Sequence, residues 1–160
     1  MVQHPFPPLY DAQSRILILG SFPSVKSREG QFFYHHPQNR FWKVLSSVLH
    51  AECPVSIAEK SAMLHAHHIA LWDVIASCEI TGSSDSSIRS VVPNDLSPIF
   101  DNANIQAVFC NGGTAYNYYC KYTRNKIGVD AVKLPSTSPA NAAWSAERLT
   151  ETWKQILDWL

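Results

Sequence analysis

Three short stretches of this sequence combine small polar residues with glycine or proline: Gly20-Ser-Phe-Pro-Ser24, Asn111-Gly112-Gly113 and Pro135-Ser-Thr-Ser-Pro-Ala-Asn141. Hydroxyls and unhindered backbone N–H groups are what a protein uses to hold anionic oxygens. Two amides and one carboxylate also occupy telling places. Asn39 opens a stretch of helical periodicity, Asn111 ends an apolar run, and Asp73 lies inside another. An amide can orient a water or read the edge of a ring, and a carboxylate can accept a bond inside a pocket. Ordinary roles compete for each. Asn39 is also a good helix N-cap, Asn111 a good turn residue, and Asp73 a buried, hydrogen-bonded structural carboxylate.

Other chemistries lack their residues. There is no GxSxG elbow, no GxxxxGK loop and no GxGxxG, which argues against a serine hydrolase or a nucleotide-binding protein. His35 and His36, and the cluster His65, His67 and His68, have neither the spacing nor the nearby acids of a zinc site. The four cysteines form no CxxC pair and read as reduced thiols of a cytosolic protein. No metal and no cofactor are expected, and no lysine stands out as a Schiff-base nucleophile.

The polar stretches are placed by the elements before them. Arg15–Gly20, Ile69–Ile75, Ile105–Cys110 and Val129–Leu134 are short apolar runs that suit buried parallel strands. Helices are expected over Asn39–Leu49, Ser56–His68, Thr114–Tyr122 and about Ala142–Leu160. In the first, Phe41, Val44, Leu45, Val48 and Leu49 recur at helical spacing. The polar segment between the second and third strands, with Gly82 and Pro93, reads as a loop with short helical turns. Alternating strands and helices imply an α/β fold, a three-layer α/β/α sandwich around a mostly parallel sheet of about four strands. All three polar stretches then follow strands and gather at the carboxyl edge of the sheet, where such folds bind ligands.

With 160 residues, the chain is expected to form one domain, 1–160. Hydrophobic residues make up 46% and charged residues 16%, a globular composition and not a disordered one. No apolar run approaches the roughly 20 residues of a membrane helix, and the first residues have no signal-peptide pattern. A cytoplasmic protein is expected, with no membrane partner and no evident obligate protein partner. The formal net charge is zero, without the basic surplus common in nucleic-acid binders. Local clusters do exist: Lys26 with Arg28, Arg40 with Lys43, and Lys121 with Arg124 and Lys126.

The ordered set GSFPS, HPQNRFW, LWDVI, FCNGG and LPSTSPAN resembles the uracil-DNA glycosylase superfamily, and within it most closely the hypoxanthine-DNA glycosylase branch. The resemblance runs from about Arg15 to the C-terminus. It implies a monofunctional glycosylase that flips a deaminated base out of DNA and hydrolyses its N-glycosidic bond, with damaged DNA as the partner. It also implies roles. Asn39, the asparagine of HPxNRFW, would hold the attacking water through its carbonyl. Phe22 stands where the uracil branch has an acid and the mismatch branch an asparagine. Tyr34 aligns with the aromatic that stacks on the extruded base, with Phe22 and Phe33 beside it, although ordinary core roles compete. Asn111 would read the base edge. Gly20, Ser21, Pro23 and Ser24 of the first loop, His36, and Ser136, Thr137 and Ser138 of the last would meet the DNA backbone. LPSTSPAN has no bulky residue at the wedge position of the uracil branch. A uracil or mismatch substrate, or a catalytically silent binding module on the same scaffold, are the alternatives.

Overall fold

The run Ile16-Leu-Ile-Leu-Gly20 is buried at every residue, as an unbroken apolar strand must be when both faces are covered. The computed structural model describes residues 1–160. Its central sheet joins β2 (Ile16–Gly20) to β3 (Ile69–Asp73) on one side and β6 (Ala107–Asn111) on the other, with β7 (Ala131–Leu134) beyond. All three pairings are parallel, and Gly20 lies opposite Asp73 while Asn111 lies opposite Leu134. The chain leaves β2 toward one edge and returns to the other side of it at β6. The carboxyl ends of β2 and β6 therefore flank a topological switch point, the crevice where open α/β sheets bind ligands.

The helices form where periodicity and caps coincide. α2 (Phe41–Leu49) buries Phe41, Trp42, Val44, Leu45 and Val48. α3 (Ile57–Ala66) starts with a capping box in which Ser56 and Glu59 satisfy each other's backbone N–H groups. α7 (Ala146–Trp153), capped by Ser145, lies against α2, and the Phe41 and Trp153 rings meet edge to face at 5.8 Å. The Trp153 indole N–H donates to the Pro135 carbonyl at 3.0 Å, fixing the start of the last polar loop to the core. This is the expected α/β arrangement: a parallel four-stranded sheet flanked by helices.

Several boundaries differ from expectation for physical reasons. The run Ile69–Ile75 is two strands. After Asp73 the chain turns out of the parallel sheet, Val74 N–H bonding to the Gly20 carbonyl and Ile75 N–H to that of Ser21. It then continues as β4 (Ile75–Glu79) in a small antiparallel sheet with β1 (Val2–Gln3) and β5 (Arg89–Pro93). Residues 80–93 are thus a short 3-10 turn (Asp85–Ser87) followed by a strand, and not loop throughout. The first polar stretch leads into a one-and-a-half-turn helix, α1 (Val25–Gly30). Between the sheets and β6, Ser97–Asn102 forms α4. The expected helix Thr114–Tyr122 is α5 (Gly113–Tyr118), a widened π-type turn and α6 (Arg124–Ile127). The C-terminal helix tightens into 3-10 turns after Trp153. No helix is long and apolar enough to cross a membrane.

Candidate active site

A cavity of about 300 Å³ opens at the carboxyl edge of the sheet, walled by the GSFPS loop, the Tyr34–Asn39 segment and the STSPA loop. Each of the four parallel strands ends on it or feeds a loop that lines it. The sequence placed these segments together correctly, but the structure assigns several side chains different partners.

The floor is built around Gly20. A Cβ there would lie 2.4 Å from Asp73 Oδ1 and 3.0 Å from the Tyr34 hydroxyl, so only glycine admits both groups. Asp73 is buried, and its Oδ2 lies 2.7 Å from His4 Nε2. A carboxylate oxygen only accepts, so Nε2 carries the proton of that bond. Oδ1 accepts no bond from the protein, and Asp73 lines the cavity. His4 arrives from the N-terminal strand and is boxed by Phe6, Phe22 and Trp72. Sequence reading gave His4 no role. The contact spans 69 positions and has no local signature.

Tyr34 adopts a left-handed backbone, φ 51°, and stacks on Phe41 with ring centroids 4.0 Å apart. Its hydroxyl is buried without a hydrogen-bond partner. Burial, and then the neighbouring Asp73 charge, hold the phenol well above its ordinary range, while the nearby Asn111 amide pulls slightly the other way. One ring face is thus already occupied by Phe41. Phe22, 8% exposed, also lines the cavity, with the Arg28 guanidinium 5.6 Å from its ring centre. Phe33 is core.

On the opposite wall Asn39, Thr137 and Asn111 form one network. Asn39 Oδ1 accepts from Phe41 N–H at 2.9 Å and from the Thr137 hydroxyl at 2.8 Å. A carbonyl oxygen has two lone pairs, and both are used. Within the protein this carbonyl is already engaged twice, and the part of Asn39 with no protein partner is the amide nitrogen, Nδ2. Nor is Asn39 the N-cap, which is Arg40; Asn39 closes an Asx turn one residue earlier. Asn111 Oδ1 accepts from Thr137 N–H at 3.0 Å, and Asn111 Nδ2 donates to Thr137 Oγ1 at 3.0 Å. Asn111 lines the cavity, but its amide chiefly ties the end of β6 to the last loop. Thr137 is 0% exposed and cannot meet a phosphate in this conformation.

The remaining hydroxyls are also engaged. Ser24 caps α1 by accepting from Ser27 N–H, and Ser27, which is buried, accepts from His35 N–H. Ser21 donates to Asp85 Oδ1 at 3.2 Å, which brings an unforeseen carboxylate to the cavity mouth. Ser136 and Ser138 each accept a backbone N–H two residues on. A Cβ on Gly112, whose φ is +95°, would lie 3.0 Å from Ser136 Cβ, so glycine lets the two loops meet. His36 Nδ1 accepts from Gln38 N–H, and its ring lines the cavity. Pro23 is buried, and its carbonyl accepts from Arg28.

The arginines of two basic clusters staple the loops through backbone carbonyls. Arg28 binds the carbonyls of Pro23 and Gly82. Arg40 binds those of Ser138, Asn141 and Trp144. Charge-assisted bonds of this kind contribute about 1.5–3 kcal/mol each when buried, less where water can replace the donor. Arg40→Ala is expected to cost roughly 2–3 kcal/mol, a fall in Tm of roughly 5–10 °C for this size. Hydrogen exchange should accelerate selectively at Ser138, Ala140 and Asn141. Unchanged exchange in that loop would show that Arg40 does not hold it.

The same architecture occurs in known proteins. The sequence pattern of the Uracil DNA glycosylase superfamily matches residues 7–160. A hypoxanthine DNA glycosylase from Methanosarcina acetivorans is 32% identical over 157 residues, covering 98% of each chain. One from Methanosarcina barkeri is 32% identical over 143 residues, covering 88% of this chain and 89% of the relative. The solution NMR structure of a candidate uracil DNA glycosylase from M. acetivorans superposes with a TM-score of 0.82 at 31% identity, over 98% of this chain and 96% of that one. The match takes in every loop of the cavity and the strands that carry them, and the chain belongs to the uracil DNA glycosylase superfamily.

Proposed function

We propose that this protein is a monofunctional DNA glycosylase that excises hypoxanthine from DNA by hydrolysing its N-glycosidic bond. One observation about the cavity carries the substrate reading. The floor offers an acceptor, Asp73 Oδ1, which no donor of the protein occupies. Hypoxanthine differs from adenine in having an N–H at ring position 1 and a carbonyl where adenine has an amino group. A carboxylate oxygen accepts from that N–H and repels the lone pair adenine carries instead. A site built to bond one hydrogen-bonding pattern discriminates strongly against its inverse, because the wrong partner leaves buried groups unpaired. The two Methanosarcina relatives named for the same base support this reading.

The nucleotide is extruded into the cavity, as any enzyme acting on a base within a duplex requires. The base lies between Phe22 and the exposed part of Tyr34, since aromatic surfaces hold any base by its π-face. As the C–N bond lengthens, the sugar takes on oxocarbenium character. Asn39 Nδ2 donates to the attacking water and holds its other lone pair toward the sugar. The pair of the broken C–N bond leaves with the base, the water oxygen bonds to the sugar carbon, and the proton the water gives up goes to the departing base, so the amide, which cannot take a proton, does not need to. Backbone N–H groups of the GSFPS and STSPA loops and the hydroxyls of Ser21, Ser136 and Ser138, with His36, meet the flanking phosphates when DNA seats.

The direct test is to incubate the protein with duplexes carrying inosine, uracil, xanthine or ethenocytosine and to cleave abasic sites with alkali. Inosine should be excised without added metal or nucleotide. Uracil also carries an N–H that Asp73 could accept, so release of uracil but not hypoxanthine would move the substrate and keep the reaction. Release of no base would leave a DNA-binding module.

A further inference from the structure

We propose that Thr137 is a positioning residue: its buried hydroxyl, together with Phe41 N–H, holds the Asn39 amide with Nδ2 toward the substrate. This rests on the glycosylase reading above and deepens it. Two backbone N–H groups, which can only donate, fix the network. Phe41 N–H points at one atom of the Asn39 amide from 2.9 Å, so that atom is the oxygen. Thr137 N–H points at one atom of the Asn111 amide from 3.0 Å, so that atom is also an oxygen. The second Asn111 atom, 3.0 Å from Thr137 Oγ1, is then the nitrogen and donates to the hydroxyl. Having accepted from Asn111, the hydroxyl sends its own proton to the Asn39 oxygen at 2.8 Å. Neither Asn39 nor Asn111 can flip without setting two donors against each other.

The hydroxyl is well protected. Thr137 is fully buried, and its carbonyl accepts from Arg40 N–H at 3.1 Å, so all three of its polar groups are fixed. Donors, acceptors and their order run from the end of β6 through the last loop to Asn39, and that order leaves only Nδ2 to face the cavity. Without the hydroxyl a single bond, from Phe41, would orient the Asn39 amide. Misplacement of a reacting group by about 1 Å can cost on the order of 100-fold in rate.

Thr137→Val keeps the shape and removes the hydroxyl; Thr137→Ser keeps the hydroxyl. Single-turnover excision of hypoxanthine is expected to fall about 10- to 100-fold in the valine variant and to be restored by serine. The loss should appear in the rate constant and not in DNA affinity. In an Asn39→Ala background the valine change should cost nothing further, because Thr137 acts through Asn39. Full activity in Thr137→Val, or an equal added loss in the Asn39→Ala background, overturns the proposal. A readout independent of activity, and of whether the valine variant folds, comes from the wild-type protein. By NMR the Thr137 hydroxyl proton should exchange slowly enough to be seen and should show cross-peaks to the Asn111 side-chain amide. A hydroxyl in fast exchange with solvent overturns the proposal. If that resonance is present but the wild type releases no base, the network stands and the glycosylase reading fails.

Discussion

Replacing Asn39 with aspartate should leave a stable protein that excises hypoxanthine at least about 100-fold more slowly, the usual scale of a positioned group in the transition state. The carboxylate keeps both bonds that the amide oxygen makes, from Phe41 N–H and from the Thr137 hydroxyl. It turns an acceptor toward the cavity where the wild type turns a donor. Single-turnover excision, melting temperature and DNA affinity, measured together, separate the alternatives. Were Asn39 working through an acceptor, the aspartate would match or exceed the wild type, because a carboxylate both accepts from water and stabilises a sugar cation. Asn39→Ala should be as slow or slower and also less stable. It strands one backbone donor and one buried hydroxyl, at about 1–2 kcal/mol, or a few degrees in Tm. DNA affinity should change little in either variant if the amide acts on the water in the transition state.

Asp73→Asn should reduce excision of hypoxanthine about 10- to 100-fold. A bond to a charged acceptor is worth about 1.5–3 kcal/mol in a buried site, and a charged acceptor makes roughly twice the bond a neutral one does. His4 donates from Nε2, so the new amide oxygen turns to His4 and its NH2 group turns to the base, where it meets the N–H of hypoxanthine donor to donor. The substitution changes no volume, and the His4 contact survives, so the melting temperature should hold within a few degrees. The rate ratio between inosine and uracil duplexes adds information. Both bases present an N–H, and both should suffer if Asp73 reads it. An Asp73→Asn enzyme that retains full activity on inosine would remove Asp73 from base recognition and return it to a structural carboxylate.

The sequence by itself determined the scaffold and the neighbourhood. Apolar runs such as Ile16–Leu19 are buried on both faces because nothing in them tolerates water. The periodic face of Phe41–Leu49 specifies a helix, and polar loops after parallel strands must share one edge, so the cavity's walls were legible as segments. The ordered motifs carried the family for the same reason: they occupy those loops and the strand and helix ends that hold them. Where the run Ile69–Ile75 breaks was not legible, because an apolar run looks alike whether it stays in one sheet or changes to another after Asp73.

Only the tertiary structure decided what each polar side chain does. Asn39 was singled out by its motif, but its amide is held by Phe41 N–H and by the Thr137 hydroxyl, the latter 98 positions away. The candidate phosphate hydroxyls of Ser24 and Thr137 and the basic side chains of Arg28 and Arg40 read as surface groups in sequence. In the fold they serve as caps, relays and staples. His4 left no sequence signal, although it holds the carboxylate on the cavity floor. The physical reason is common to all of these. Burial follows from local apolar periodicity, which a sequence displays. A hydrogen-bond partner follows from geometry between segments distant in the chain, where a donor and an acceptor meet only after the sheet has brought the ends of its strands together.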